Sequence, residues 1–172
     1  MQIAFPGKTP LLIAPYIRRE AVLSSRIEGT KAEPSDLWLG DVESGKIHEE
    51  TADIKEVRNY VTALEYGIQR LTDLPLSLRL VREIHAHLMA GVRGDQATPG
   101  EFRRSQNWIG PAGSALAGAP YVPPPPDEMI LALGKWEEFL QERVRLPDLI
   151  QCALMHEQFE AIHPFLDGNG RV

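Results

Sequence analysis

Cysteine is nearly absent: Cys152 is the only one in 172 residues. No internal disulfide can form, and a reducing, cytoplasmic setting fits the composition. No apolar run approaches the roughly 20 residues of a membrane-spanning helix, so no membrane partner is expected. The N-terminus, MQIAFPGKTP, lacks a basic stretch followed by a long apolar one and does not read as a signal peptide. Excess positive charge is missing too. At a formal net charge of −6, this chain is not expected to bind nucleic acid as its main task. No internal repeat is visible. The remainder is ordinary for a globular domain, with 43% hydrophobic and 24% charged residues in a chain long enough to bury a core.

The pattern is mainly helical. A first helix is predicted from about Pro15 to Glu28, ended by Gly29 as a left-handed cap. Between Thr30 and Lys46 only a short helix around Ser35 to Leu39 fits among Pro34, Gly40 and Gly45. Ile54, Val57, Val61, Leu64, Ile68 and Leu71 recur in steps of three and four and predict one helix stripe, with Asp53 and Glu56 at capping-box spacing. Ser77 caps a further helix carrying Leu80, Val81, Ile84 and Leu88, which Gly91 ends. From Val92 to Pro126 glycine and proline break the periodicity, and so long a non-helical stretch in a compact domain is usually functional. Its flanks QNWIG and APYV predict a short β-hairpin around PAGSALAG. Pro126 opens a helix through Ile130, Leu133, Trp136 and Leu140, and a last, buried-looking helix is expected from Pro147 to Ile162.

The chain then reads HPFLDGNGRV from His163 to Val172. Gly168 and Gly170 permit positive φ and let backbone N–H groups converge on an anion. A helix beginning near Gly170 or Arg171 would add further N–H groups. Arg171 suits phosphate oxygens, Asp167 is a hard oxygen ligand of the kind Mg²⁺ accepts beside phosphates, and His163 has a pKa suited to general-base work. Taken singly, DGNG is a common turn and the histidine before it is more often structural; the joint occurrence points to a site.

That order resembles the signature of the Fic family, H-x-F-x-[DE]-G-N-G-R-x-x-R, matched by His163, Phe165, Asp167, Gly168, Asn169, Gly170 and Arg171. The signature's second arginine would fall two residues beyond Val172. The segment REAVLSSRIEGT resembles the inhibitory pattern [ST]-x-x-x-E-[GN] of many Fic proteins, filled by Ser24, Glu28 and Gly29. GEFRRSQNWIG and YVPPPP resemble the family's flap, which places Tyr121 and Val122 where a target's backbone would dock.

The resemblance implies a mainly α Fic-like helical domain with a small β-hairpin flap. Residues 1–46 form an N-terminal segment with the inhibitory helix at about 15–29, and residues 47–172 a core incomplete at its C-terminus. The implied activity is protein adenylylation: AMP passes from ATP to a Ser, Thr or Tyr hydroxyl of a target protein. His163 acts as base, Asp167 holds Mg²⁺, and Gly168, Asn169, Gly170 and Arg171 bind the phosphates. Glu28 restrains the reaction, and a chain ending at Val172 is expected to bind ATP weakly. Self-modification and a homodimer belong to the same expectation. Two alternatives stay open: transfer of another phosphate-containing group on the same scaffold, and a non-catalytic fragment or interaction module. The near-match HEQFE to a zinc helix lacks its second histidine, because position 160 is Glu. His156 reads as a core histidine sharing a face with Cys152 and Phe159, and Trp38, Trp108 and Trp136 as packing residues.

Overall fold

Five α-helices and two short 3-10 turns follow one another in the computed structural model, among the residues it describes (14–27, 29–31, 51–92, 98–111, 113, 115–142 and 146–172). Helix α1 (Ala14–Ile27) buries Ile17, Ala21, Val22 and Ser25. Gly29, at φ +97°, turns the chain out of it. The Gly29 N–H donates to the Arg26 carbonyl at 3.0 Å and the Thr30 N–H to the Ser25 carbonyl at 3.1 Å, which closes the last turn. The short helix expected around Ser35 to Leu39, Trp38 and Glu28 lie outside the described residues.

Helix α2 (Ala52–Arg70) starts differently from the expected capping box. Thr51 is the cap, its hydroxyl accepting from the Ile54 N–H at 3.3 Å. Starting there keeps the Lys55 N–H on the Thr51 carbonyl at 3.1 Å, a bond that a start at Asp53 would lose. Asp53 instead accepts from the Lys31 N–H at 2.7 Å, and Glu56 is buried. The buried line is turned slightly from the expected stripe: it runs through Val57, Ala63 and Gly67, while Leu71 is exposed. The reason is close approach to helix α3 (Leu78–Leu88). A Cβ on Gly67 would stand 2.8 Å from the Ile84 side chain, so any larger residue there would have to displace the tip of Ile84.

Ser77 caps α3 as expected, accepting from the Leu80 N–H. Its open carbonyls are met from α2. Asn59 donates to the Leu88 and Ala90 carbonyls at 3.0 and 2.9 Å, and Lys55 to the Gly91 carbonyl at 2.6 Å. Tyr66 and Arg70 donate to Glu83, whose carboxyl the Tyr66, Arg79 and Arg70 side chains hold down at about 2.

Helix α4 (Pro126–Gln141) has Pro126 in its first turn and buries Met129, Leu133 and Trp136. Ile130, expected inside, is exposed and Met129 takes its place. Helix α5 (Asp148–Ile162) packs on α4 through Phe159 and Ile162, and Trp136 donates to the Met155 carbonyl at 2.9 Å. This core closes over Val81 and Phe165. The rest of α5 is less buried than expected: Leu149, Ile150, Leu154, Cys152 and His156 are all exposed, so His156 is not a core histidine. Among the described residues the flap shows one antiparallel bridge, between Ile109 and Tyr121, and within its loop the 3-10 turn Leu116–Gly118. Pro120 and Pro123 to Pro126 carry no N–H, so the second arm cannot extend a ladder. Gln106 joins the arms instead, donating to the Pro123 carbonyl at 2.8 Å.

The turn leading from α3 toward the flap rests on Gly100, at φ +78°, where a Cβ would lie 3.0 Å from Ala86 Cβ and 3.1 Å from the Arg82 carbonyl oxygen. Gly100→Ala should lower stability by about 1–3 kcal/mol through backbone strain and overpacking. Gly113→Ala, at a similar φ of +83° but with nothing within 4 Å, should cost only about 1 kcal/mol. Urea denaturation midpoints decide it, and equal losses at the two sites would contradict the close-approach argument.

Candidate active site

Helix α5 ends by delivering His163 in the left-handed region, φ 49° and ψ 63°. An L-residue resists that conformation by roughly 1–2 kcal/mol, so the surroundings must hold it. Arg103 does most of this. Its backbone N–H donates to the Pro164 carbonyl at 2.9 Å, and Nε to the His163 carbonyl at 2.9 Å. The remaining guanidinium nitrogens reach the carbonyls of Ser105, Pro124 and Ile162. Arg103 is buried, and burial pushes its pKa down, yet carbonyl dipoles surround the charge. One side chain thus clamps the end of α5 to both arms of the flap loop. Asn107 adds a donor to the Phe165 carbonyl at 3.1 Å.

The motif loop closes on itself. The Phe165 N–H donates to Asn169 Oδ1 at 2.8 Å, and Asn169 Nδ2 donates to the Phe165 carbonyl at 2.9 Å. The Asn169 amide is therefore used inside the loop, and what it can offer a ligand is its backbone N–H. Gly168, at φ +75°, starts a 3-10 turn over Asn169–Arg171. A Cβ on Gly168 would stand 2.8 Å from Met89 Sδ, so the position admits only glycine. As the first two residues of that turn, Asn169 and Gly170 have N–H groups without an acceptor in it. Asp167 stands beside them with its side chain 42% exposed, Oδ1 accepting from the Gly168 N–H at 2.6 Å. One half-exposed carboxylate suits Mg²⁺, which takes one or two carboxylates and completes its shell with phosphate oxygens and water.

Arg171 does not face solvent as expected of a phosphate ligand. Its guanidinium is 4% exposed and meets Glu56, itself 1% exposed, at 3.0 Å. Met89 Sδ lies 3.8 Å from Nη2, and Asp167 Oδ1 3.6 Å from the same nitrogen. The arginine's charge thus sits beneath the loop. Glu56 was not legible as a site residue, although a carboxylate next to Val57 on the buried side of a helix was a signal. Arg103, Asn107 and His85 were missed as well, since each acts through contacts distant in sequence.

His163 keeps a side chain 20% exposed. Its Nδ1 is buried without a hydrogen-bond partner, 4.0 Å from Glu160 Oε2. Burial is the largest influence on the imidazole and lowers its pKa from the ordinary 6.5. The Glu160 backbone opposes this, the Arg103 charge adds to it and the Asp167 charge opposes it. The ring is accordingly neutral at pH 7 and able to accept a proton. Of the expected inhibitory residues, Ser24 is half-buried and donates to Glu20 at 2.8 Å, and Gly29 ends α1; Glu28 is outside the described residues. Helix α1 touches both α2 and the Asn169–Arg171 turn. Tyr121 and Val122 are 42% and 46% exposed on the flap. The Tyr121 hydroxyl donates to the Ala161 carbonyl at 2.8 Å, which brings the flap against the end of α5.

The buried pair between Glu56 and Arg171 yields a prediction. Glu56→Ala leaves a buried guanidinium without its carboxylate and should cost about 3–5 kcal/mol, whereas the apolar pair Glu56→Leu with Arg171→Met should recover most of that loss. Chemical denaturation of the three proteins checks it. An alanine variant as stable as the parent would mean that the pair is solvated.

Comparison with known proteins agrees with this geometry. The Fic/DOC family model matches residues 75–172, and the Fic/DOC family N-terminal model matches residues 4–69. Protein adenylyltransferase Fic from Drosophila grimshawi is 33% identical over 101 residues, 58% of this chain and 19% of that protein. The Drosophila virilis protein of the same name is 32% identical over the same length. The chain therefore spans about a fifth of these relatives. Among solved structures, a Fic domain containing signaling protein from Bacteroides thetaiotaomicron superposes with a TM-score of 0.74 at 21% identity, covering 92% of this chain and 59% of that one. Fic-1 from C. elegans gives 0.66 at 19% identity, covering 95% and 48%. With one family model spanning more than half of its length over the loop, α3, α4 and α5, the chain belongs to the Fic/DOC family.

Proposed function

We propose that this chain carries the transfer site of a protein adenylyltransferase, which moves AMP from ATP to a Ser, Thr or Tyr hydroxyl of a target protein. One observation carries the reading. A histidine kept neutral by burial is held in a strained conformation directly before a loop whose Asn169 and Gly170 N–H groups have no acceptor within their turn and which carries the half-exposed Asp167. The names of the Drosophila relatives support the same class of reaction.

In this mechanism His163 takes the proton of the target hydroxyl. The oxygen attacks the α-phosphorus of ATP, the bond from that phosphorus to the bridging oxygen of the β-phosphate breaks, and pyrophosphate leaves. The loop N–H groups hold the phosphate oxygens, a contribution of position and fixed dipoles. Mg²⁺, bound by Asp167 together with the phosphates, would neutralise their charge. Arg171 lies beneath the loop with its charge balanced by Glu56, and so supports the loop from its inner side. Tyr121 and Val122 would offer the target's backbone an edge beside Ile109.

His163→Ala should lower AMP transfer by about 10²–10⁴-fold while ATP binding stays largely intact. The base works only when deprotonated, and its pKa lies below the ordinary 6.5. The rate should therefore already be on its plateau at pH 7 and fall only as the pH drops through that lowered value. Labelled ATP with an acceptor protein provides the assay. An alanine variant at the parent rate refutes the role, and a panel of α-labelled nucleotides separates adenylylation from transfer of another phosphate-containing group.

Glu28 is proposed as a restraint on the same site, occupying the place of the ATP γ-phosphate. The contact of α1 with the Asn169–Arg171 turn supports this, because it brings the helix that precedes Glu28 to the phosphate loop. Glu28→Gly in the full-length protein should raise self-modification well above the parent, and adding His163→Ala should abolish the gain. No increase for a folded Glu28→Gly protein would remove the inhibitory role.

A further inference from the structure

Buried histidine is costly unless both ring nitrogens find partners. His85, on α3, is 1% exposed and has both. Its Nδ1 lies 2.8 Å from the Gly100 nitrogen. A backbone N–H can only donate, so Nδ1 accepts and the ring proton sits on Nε2. Nε2 lies 3.0 Å from the Asp167 carbonyl oxygen, which can only accept. The two backbone partners thus dictate one neutral tautomer. The ring also lies flat on Phe165, with centroids 3.7 Å apart and planes 3° from parallel. The tautomer is fixed by the hydrogen bonds and the ring plane by the stacking.

These contacts join three segments: α3, the turn at Gly100, and the motif loop at Phe165 and Asp167. The loop is seated close on the ring, since a Cβ on Gly168 would stand 3.5 Å from His85 Nε2. The peptide that links Asp167 to Gly168 is therefore fixed through its oxygen. A rotation of that peptide would swing away the Gly168 N–H, from which the Asp167 carboxylate accepts at 2.6 Å. The carboxylate's other contact among the described residues is Arg171, whose Nη2 lies 3.6 Å from Oδ1.

We propose that His85 is a positioning residue for the metal–phosphate site: by donating to the Asp167 carbonyl while accepting from Gly100, it sets the direction in which the Asp167 carboxylate meets Mg²⁺ and the ATP phosphates. The inference rests on reading Asp167 as the metal-bearing carboxylate. Burial favours the neutral ring that this arrangement needs, with the Asp167 carbonyl and charge opposing and the Arg171 charge adding.

His85→Phe keeps an aromatic ring for stacking and removes both hydrogen bonds; His85→Gln keeps a donor and an acceptor. ATP binding to the full-length protein, with the complete signature, is measured by calorimetry in EDTA and across a Mg²⁺ titration, with Tm followed in parallel. In His85→Phe the Mg²⁺ concentration that half-saturates the ATP complex should rise by about tenfold or more, while affinity in EDTA changes by less than about twofold. His85→Gln should restore part of the shift. Long-range ¹⁵N–¹H spectra of the parent should show the His85 proton on Nε2. A lower Tm with an unchanged Mg²⁺ requirement makes His85 a packing residue and overturns the proposal, as does a proton on Nδ1. If His85→Phe does not fold, His85→Gln and the tautomer decide. A parent protein that binds ATP with Mg²⁺ yet transfers no AMP refutes the adenylyltransferase reading and leaves the positioning result standing; one whose ATP binding ignores Mg²⁺ overturns the positioning role.

Discussion

The ion pair between Glu56 and Arg171 joins positions 115 residues apart, and the site is built around it. Both groups are buried, so neither can be replaced by water. Arg171 is in the last turn of the motif loop and Glu56 in the second turn of α2, and their pairing fixes the distance between loop and helix. Helix α1 then packs on the same α2 and touches the same turn. A helix from the N-terminal segment is thereby brought to the motif loop beside one buried, neutralised charge.

Around that pair the loop's carbonyls are met from the inner side by a set of polar side chains. Arg103 holds the His163 and Ile162 carbonyls, Asn107 the Phe165 carbonyl, His85 the Asp167 carbonyl, and Asn169 both backbone groups of Phe165. Buried carbonyls met this way leave the chain no reason to turn over. The rest of the loop shows the opposite character: the Asn169 and Gly170 N–H groups have no acceptor within their turn, and the Asp167 carboxylate is half-exposed. Such a division suits anion binding, because the donors are oriented before any ligand arrives.

Helix ends were legible in the sequence where one residue sufficed to make them: Ser77 before α3, Pro126 at the start of α4, Gly29 after α1. The motif loop was legible for the same reason, since Gly168 and Asn169 act within a few residues of each other. Contacts across the chain were not. Asp53 and Glu56 have the spacing of a capping box, but Thr51 makes the cap and Glu56 turns to Arg171, a partner that no local pattern names. The flap's alternation suggested a hairpin, yet proline in its second arm removed the donors a ladder needs. Ile130 and the apolar face of α5 show a third limit: hydrophobic periodicity identifies a helix without stating which of its faces a neighbour will cover.

The central claim is that the loop from His163 to Arg171 receives the phosphates of a nucleotide. A crystal structure of the full-length protein, carrying the complete signature, with Mg²⁺ and a non-hydrolysable ATP analogue tests it most directly. The account predicts phosphate oxygens within hydrogen-bond distance of the Asn169 and Gly170 N–H groups, the metal on Asp167, and the His163 ring facing the α-phosphorus, with Arg171 still on Glu56. A nucleotide bound away from the loop, or phosphates reached by an Arg171 that has left Glu56 while the loop N–H groups stay empty, would contradict it.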